Sequence, residues 1–251
     1  MTITPATGDR PVALITGAAR RVGATIARTL HGAGFDVALH YRSSRAEIDA
    51  PATSLEAQRA RSTLVVQAEL GDVARFPSLV AATIEKFGRL DALVNNASAF
   101  FATPIGEATE AQWDELFASN ARAPFFLSQA AAPALSKSRG AIVNLVDIYA
   151  ERPLAAHPIY CMAKAALVMM TCALAKDLGP AIRVNAVAPG AVLWPEAGKT
   201  YTDQDELVAR TPLRRVGSPD DVAGAVLWLI RDAGFVTGEV VRVDGGRSLV
   251  I

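Results

Sequence analysis

The sequence predicts an α/β domain in which helices cover both faces of a parallel β-sheet. Short apolar runs alternate with longer helical stretches along all 251 residues, as in repeated β-α-β units. The short runs are rich in Val, Ile, Leu and Ala without polar alternation, which is typical of strands buried on both faces. Since no repeat, low-complexity tract or linker divides the chain, we expect one three-layer, doubly wound domain over residues 1–251.

The first half of the chain alternates strand and helix. Strands are predicted over residues 11–15, 36–40, 62–68 and 91–94. Helices are predicted over residues 21–31, 43–61 and 74–87, with glycines following the first and the third. We expect Pro51 to break the second helix or to mark its entry, because proline removes a helical hydrogen bond.

The second half repeats this alternation. Helices are predicted over residues 109–120, 124–136, 158–178 and 219–230, and strands over residues 140–146, 182–188 and 240–243. Ser218 is the expected N-cap of the last helix, with Pro219 at its first position. Residues 191–212 are the least regular segment and follow a strand end. Ligands bind beyond the carboxyl ends of parallel strands, so this segment is the expected substrate lid.

Composition excludes several functional classes. The 25 Lys and Arg balance 25 Asp and Glu, which removes any bulk electrostatic case for nucleic acid. No apolar run approaches the roughly 20 uninterrupted residues of a membrane span, and residues 1–10 lack the apolar core of a signal peptide. The 2 cysteines and 3 histidines show no ligand spacing, so we expect no metal site. These features predict a soluble, cytoplasmic protein.

The turn after the first strand has the features of a pyrophosphate site. Glycines in a strand-turn-helix context let the backbone approach phosphates at the helix N-terminus. The candidate residues there are Gly17, Arg20, Arg21, Val22 and Gly23. Arg21 stands where a further glycine would be usual, and the two arginines add positive charge. The alternative is an ordinary turn with two surface arginines.

The end of the second strand indicates which dinucleotide binds. A carboxylate there would bind the ribose 2′-hydroxyl of NADH, whereas an arginine accommodates the 2′-phosphate of NADPH. The chain has Arg42 followed by Ser43 and Ser44, with no acid before Glu47. This favours NADPH. The alternative is a solvated basic turn.

Tyr160 and Lys164 form a candidate catalytic pair. They lie four positions apart in a predicted helix, so they share one helix face, and the ammonium would favour the phenolate. This spacing alone also fits an exposed helix pair. Asp147 lies thirteen positions before Tyr160, just after a predicted strand, and Asn120 ends an earlier predicted helix.

Taken together, these motifs resemble the short-chain dehydrogenase/reductase family over essentially the whole chain. The matching segments are Thr16-Gly17 with Gly23, Asn95-Asn96-Ala97, Asn120, Tyr160 with Lys164, Pro189-Gly190 and Val243-Asp244-Gly245-Gly246. Two departures, Asp147 in place of the usual serine and Arg21 in place of glycine, are features of pteridine reductases. Residues 95–100 and 40–43 are similar to that subfamily too. The resemblance implies a Rossmann-type fold.

The resemblance also implies roles for individual residues. NADPH would reduce a dihydropterin, which stacks on Phe100, with Ser98 and Arg21 supplying polar contacts. Asp147 and Tyr160 would contact the substrate and transfer the proton, Lys164 would bind the nicotinamide ribose, and Asn120 would hold a structural water. The resemblance further implies a homotetramer. The remaining cofactor contacts would be His40, Tyr41, Arg42, Ser43, Glu69, Leu70, Asn96, Ala97, Tyr160, Pro189 and Gly190.

Two rival functions remain open. A ketoreductase of the same family is disfavoured by Asp147, because a carbonyl oxygen benefits from a neutral donor. A non-enzymatic NADP-binding sensor is disfavoured because it needs no proton relay. Two residue assignments also have structural alternatives: Phe100 as a core aromatic next to Phe101, and Asp147 as a turn or capping residue.

Overall fold

A computed structural model describes residues 10–192 and 204–251, which form one sheet with helices on both sides. The strands are β1 (Val12–Ile15), β2 (Asp36–Tyr41), β3 (Thr63–Gln67), β4 (Ala92–Asn95), β5 (Ala141–Leu145), β6 (Arg183–Pro189) and β7 (Val240–Val243). The α-helices are α1 (Arg21–Gly32), α2 (Arg45–Gln58), α3 (Phe76–Phe87), α4 (Glu110–Phe117), α5 (Ala123–Ser138), α6 (Pro158–Leu178), α7 (Gln204–Arg210) and α8 (Pro219–Arg231).

The sheet has the strand order β3-β2-β1-β4-β5-β6-β7, and each neighbouring pair is parallel. The chain runs outward in one direction from β1 to β3 and then in the other from β4 to β7. The strand order therefore reverses between β1 and β4, and a crevice opens there at the carboxyl edge of the sheet. The predicted Rossmann-type α/β class is confirmed.

Alternate side chains of each central strand enter different cores, which is why apolar residues on these strands do not alternate with polar ones. Ile15 packs in a core with residues of α1 and α8, including Ile26 and Val226. Its neighbour Leu14 packs on the opposite face in a core that includes Phe76 of α3 and Leu127 of α5. Both faces of the sheet are thus covered, which gives the three layers.

Proline 51 lies inside α2, so the prediction that it breaks the helix or marks its entry is wrong. The proline removes one backbone hydrogen bond from the helix. Ile48, Ala52 and Leu55 nevertheless share a buried face of α2, and their packing outweighs this local cost.

Two predicted helix bounds change where the backbone geometry changes. The helix predicted over residues 109–120 ends at Phe117, and a π-helical segment (Ala118–Arg122) joins it to α5. The helix predicted over residues 74–87 begins as a 3-10 turn (Val73–Arg75) before α3. By contrast, α6 and β7 have the predicted bounds, and Ser218 caps α8 by accepting a hydrogen bond from the Asp221 N–H.

By length and composition alone, helix α6 is long and apolar enough to cross a membrane, although its apolar residues are interrupted by polar ones such as Lys164. Leu167 and Thr171 are buried, and the helix packs against β6, as expected of a core helix. Met169, on the opposite side, is 68% exposed.

Of the predicted lid over residues 191–212, residues 193–203 lie outside the described residues, and α7 occupies most of the remainder.

Candidate active site

A cleft of about 570 Å³ opens at the carboxyl edge of the sheet, where β1 to β4 end. Thirteen predicted cofactor residues line it: Gly17, Arg20, Arg21, Val22, Gly23, His40, Tyr41, Arg42, Ser43, Glu69, Leu70, Asn96 and Ala97. The predicted substrate residues Ser98 and Phe100 line it too. The other predicted residues, Asn120, Asp147, Tyr160, Lys164, Pro189 and Gly190, are not part of this lining.

The turn at the base of the cleft requires its glycines. Gly17 has a φ of +64°, a left-handed conformation that glycine adopts without steric cost. A Cβ on Gly23 would lie 2.1 Å from the Gly17 carbonyl oxygen, so the start of α1 touches the turn directly. Arg21 also has a positive φ, of 53°, at the position where the sequence motif usually has glycine.

Hydrogen bonds of Asn96 and Thr16 connect this turn to the end of β4. The Asn96 side-chain amide donates to the carbonyl oxygens of Thr16 (2.9 Å) and Gly17 (3.1 Å). In return, the Thr16 hydroxyl accepts from the backbone N–H groups of Asn96 (2.9 Å) and Ala97 (3.0 Å). These bonds explain why the Asn95-Asn96-Ala97 motif accompanies a glycine turn about eighty residues earlier in the chain.

The nucleotide end of the cleft is rich in arginine and fits a phosphorylated dinucleotide. Arg20, Arg21 and Arg42 line it, and the close approach at Gly23 leaves no room for a side chain. Arg20 also lies 3.9 Å from the exposed Glu47 carboxylate. Small residues at the turn and cations around it are what a pyrophosphate and a further phosphate would need.

Asp147 and Tyr160 are hydrogen-bonded to each other. Asp147 follows β5, and its Oδ1 accepts from the Tyr149 N–H at 2.9 Å while its Oδ2 accepts from the Tyr160 hydroxyl at 2.7 Å. The carboxylate therefore caps a short turn and also contacts the tyrosine, so the two sequence interpretations are compatible. Burial raises the pKa of Asp147, while the hydrogen bonds from Tyr149 and Tyr160 and the nearby Lys164 oppose that shift.

Lys164 lies one helical turn beyond Tyr160 and is 2% exposed. Its Nζ donates to the Leu145 carbonyl oxygen at 2.8 Å and lies 5.7 Å from the centre of the Tyr160 ring. Burial lowers the pKa of this ammonium to about 8, and the Asp147 carboxylate opposes that shift. The lysine is thus held beside the tyrosine, and its pKa is lowered toward neutrality.

Asn120 holds the loop that follows β4. It is buried in the π-helical segment, and its amide donates to the carbonyl oxygens of Ala99 (2.9 Å) and Leu116 (3.0 Å). Its Oδ1 accepts from the Ser98 hydroxyl at 2.7 Å. These bonds position Ser98 and its neighbours at the mouth of the cleft; the expected role of Asn120 in holding a water stays a prediction.

Phe100 lines the cleft and also contacts Tyr160 of the candidate catalytic pair. Its ring meets Tyr160 edge-on, with centroids 4.8 Å apart, and lies parallel to the ring of His157 at 4.8 Å. Sequence reasoning missed His157, although its position one helical turn before Tyr160 places the two residues on one face of the helix start.

A buried polar network behind the site was also not predicted. Asn95 donates to Ser128 on α5 (3.2 Å) and to Asn144 on β5 (2.9 Å), and Asn144 donates to Thr171 on α6 (2.9 Å). These bonds fix α6, which carries Tyr160, against the strands. Pairings between residues so far apart in sequence are not visible in local patterns.

Pro189 and Gly190 end β6 away from the cleft lining. The Gly190 N–H donates to Val243 O at 3.0 Å, and a Cβ on Gly190 would lie 2.8 Å from the Asp244 Cβ. This glycine therefore allows the ends of β6 and β7 to approach closely. Among the described residues, no group of three or more His, Cys, Asp or Glu side chains could hold a metal ion.

The fold and site define an oxidoreductase that uses a nicotinamide dinucleotide. A family model described as "Enoyl-(Acyl carrier protein) reductase" matches residues 17–248. The chain belongs to the short-chain dehydrogenase/reductase family, whose members use such a cofactor.

Three relatives of the chain carry pteridine reductase or ketoacyl reductase names. The chain is 37% identical to pteridine reductase 1 of Leishmania tarentolae, with 95% of this chain and 96% of the relative covered. It is 37% identical to the granaticin polyketide synthase putative ketoacyl reductase 2 of Streptomyces violaceoruber, with 96% and 98% covered. It is 31% identical to the 3-oxoacyl-acyl-carrier-protein reductase FabG of Staphylococcus aureus, with 94% and 98% covered.

Proposed function

We propose that the protein is a cytoplasmic, NADPH-dependent pteridine reductase. It reduces dihydropterins of the dihydrobiopterin or dihydromonapterin type to their tetrahydro forms, with dihydrofolate as a further candidate substrate. The observation that carries the proposal is the hydrogen bond between the buried Asp147 carboxylate and the Tyr160 hydroxyl.

The reaction needs a proton at a ring nitrogen. NADPH, when bound, supplies a hydride to the carbon of the pterin C=N bond. The adjacent nitrogen must then accept a proton, and Asp147 and Tyr160 share one across a 2.7 Å hydrogen bond. Burial raises the Asp147 pKa, so the pair is suited to hold that proton and to deliver it directly or through water.

The walls of the cleft suit a flat, amide-rich substrate. Phe100 offers an aromatic ring beside Tyr160, and stacking on such a ring favours planar bicycles. Ser98 and Arg21 line the same cleft and provide a hydroxyl and a guanidinium for the polar edge of the pterin. The cleft thus supplies an apolar surface together with polar groups.

NADPH is preferred to NADH because of the residues after β2. Arg42 and Ser43 are exposed at the nucleotide end of the cleft, where a 2′-phosphate would lie. A guanidinium and a hydroxyl both donate to phosphate oxygens. The first acid after β2, Glu47, lies near Arg20, which balances its charge.

We also propose a homotetramer, supported by an apolar surface on α4, α5 and α6. Trp113, Phe125, Phe126, Met162 and Met169 are each at least 38% exposed in the single chain. Helices α4 and α5 both pack against α6, and large exposed apolar patches mark interfaces. A second copy of the chain would cover it.

A ketoreductase is the second candidate, because two of the relatives carry ketoacyl reductase names at 37% and 31% identity. The two functions differ in the atom that is protonated. A ketoreductase protonates an oxygen, for which a neutral hydroxyl donor suffices, whereas Asp147 adds a group that can shuttle protons to nitrogen.

The test is oxidation of NADPH by the purified protein with dihydrobiopterin, dihydromonapterin, dihydrofolate, acetoacetyl thioesters and simple ketones. We expect turnover of at least one dihydropterin, at a kcat/KM at least about tenfold above that for any ketone, which corresponds to roughly 1.4 kcal/mol. The control omits substrate and measures the background oxidation of NADPH. Turnover of ketones without turnover of any pterin would select the second candidate.

A further inference from the structure

His40 is buried where three parts of the nucleotide site meet. It is 1% exposed, at the end of β2, between the glycine turn and the loop after β3. Its Nδ1 lies 3.2 Å from the Gly17 nitrogen, and its Nε2 lies 3.0 Å from the Ala68 carbonyl oxygen. Its own carbonyl oxygen accepts from the Ala18 N–H at 2.9 Å. Side chain and backbone of one residue thus hold two consecutive peptides of the turn.

The two side-chain bonds determine the protonation state of the ring. The Gly17 N–H can only donate, so Nδ1 must accept, and the Ala68 carbonyl can only accept, so Nε2 must carry the hydrogen. The imidazole is therefore neutral. A second proton on Nδ1 would set two donors against each other and break the bond to Gly17.

The turn has little freedom to adjust if that bond breaks. The Gly17 carbonyl is held from the other side by the Asn96 amide, and the backbone of Gly23 leaves no room behind it. Gly17 also keeps a φ of +64°. Loss of the His40 bond would therefore change the orientation of the peptide groups in the phosphate-binding turn.

We propose that His40 is a protonation-sensitive positioning residue, which holds the phosphate-binding turn in its binding conformation only while its ring is neutral. The proposal rests on dinucleotide binding at this turn and is independent of which substrate is reduced. It makes cofactor affinity fall on the acid side of neutrality.

The surroundings of His40 favour the neutral ring. Burial lowers the pKa of His40, while the Ala68 carbonyl and the Glu69 carboxylate oppose that change. The ring is therefore neutral at and above neutral pH, and it gains a proton only as the pH falls well below neutral. The other charged or titratable groups that line the same cleft are Arg20, Arg21, Tyr41, Arg42, Glu47 and Glu115.

The test measures NADH binding by fluorescence between about pH 8 and about pH 5, the range in which a histidine with a lowered pKa begins to titrate. NADH is the probe because it lacks the 2′-phosphate, whose own titration near pH 6 would obscure the result. Circular dichroism defines the pH range in which each variant remains folded.

Two variants separate the contact from its titration. His40→Asn offers Gly17 an acceptor that does not titrate, and His40→Leu removes both side-chain bonds. We expect the wild-type Kd to rise about threefold toward the acid end and the His40→Asn Kd to change less than about 1.5-fold. His40→Leu should bind about tenfold more weakly at about pH 8, the loss of two net hydrogen bonds. His31→Asn is the matched control, since His31 is buried at the opposite edge of the sheet, and it should keep the wild-type profile.

Two results would overturn the proposal: equal acid-side losses in wild type and His40→Asn, or wild-type affinity in His40→Leu. If the His40 variants do not fold, proton NMR of the wild-type imidazoles decides, with the 3 histidines assigned by replacing His31 and His157 in turn. NADH should lower the His40 pKa, and an unchanged or raised pKa refutes the role. A protein with the expected binding profile that reduces no pterin would contradict the proposed function and leave this one intact.

Discussion

The buried polar groups at the amino edge of the sheet have different surroundings from those at the carboxyl edge. At the amino edge, Asp36 at the start of β2 pairs with Arg10 at 2.8 Å and Arg59 at 3.5 Å. His31 lies next to them, with its Nε2 2.8 Å from the Ser62 hydroxyl. Burial and the nearby Arg59 lower the pKa of His31 to about 4. The Asp36 carboxylate is thus paired within the fold with two guanidinium groups.

At the carboxyl edge, polar groups surround a cleft instead. The arginines of the nucleotide end line open space, and the buried Asp147 lies beside the Tyr160 hydroxyl. The comparison shows that burial alone does not identify function, since both edges bury titratable groups. At the amino edge the buried carboxylate is paired with cations of the chain, whereas at the carboxyl edge several cations also line a cleft that a ligand can enter. Substitutions at the two edges should accordingly separate stability from activity.

The largest expected effect is at the carboxyl edge. Asp147→Ser should lower kcat for dihydropterin about 1000-fold, or roughly 4 kcal/mol, which is within the range for a positioned proton-transfer group. The Kd for NADPH should change less than about twofold, since cofactor binding does not use this carboxylate. Stopped-flow kinetics and fluorescence titration measure the two quantities. Glu151→Gln, in the same loop and paired with Arg242 at the surface, is the control. Unaltered turnover would remove Asp147 from the mechanism.

The second effect is at the amino edge and concerns stability. Asp36→Asn leaves Arg10 and Arg59 without their carboxylate, and an uncompensated buried charge costs about 3 kcal/mol or more in the free energy of unfolding. Urea denaturation measures this, and kcat of the folded enzyme should stay within about twofold. Asp49→Asn, which breaks the exposed pair with Arg45, should cost less than about 1 kcal/mol. A large loss of kcat in Asp36→Asn would contradict the separation of the two edges.

The smallest of the three effects concerns the cofactor preference. Arg42→Asp should weaken NADPH binding about 30-fold, because a charge-assisted hydrogen bond contributes roughly 1.5–3 kcal/mol, and it should change NADH affinity less than about threefold. Isothermal titration of both cofactors measures the ratio. Arg45→Asp reverses a nearby charge outside the cleft lining and serves as the control. Equal losses for NADPH and NADH would place the 2′-phosphate elsewhere.

Features with a local cause could be predicted from the sequence. The bounds of α6 follow from proline at its start and from the Gly179-Pro180 stop, and the strands followed from apolar runs. The spacing of Asp147 and Tyr160 selected a pair that the structure joins at 2.7 Å. In each case, the residues that form the sequence pattern are close in sequence to the residues that they contact or to the element that they bound.

Features that depend on packing could not be predicted. Pro51 stays helical because of the core beneath it, and the π-helical segment that carries Asn120 has no compositional signal. The role of His40 depends on Gly17 and Ala68, which lie 23 and 28 positions away. Such contacts require the register of the sheet, which no window of sequence contains.

Arg21 has a consequence for attempts to make this protein more heat-resistant. A residue with a side chain in the left-handed conformation costs about 1–2 kcal/mol that glycine avoids. Replacing Arg21 with glycine would remove this unfavourable conformation and raise the free energy of unfolding. The same change would remove a cation from the cleft, so stability and ligand affinity would change in opposite directions at this position.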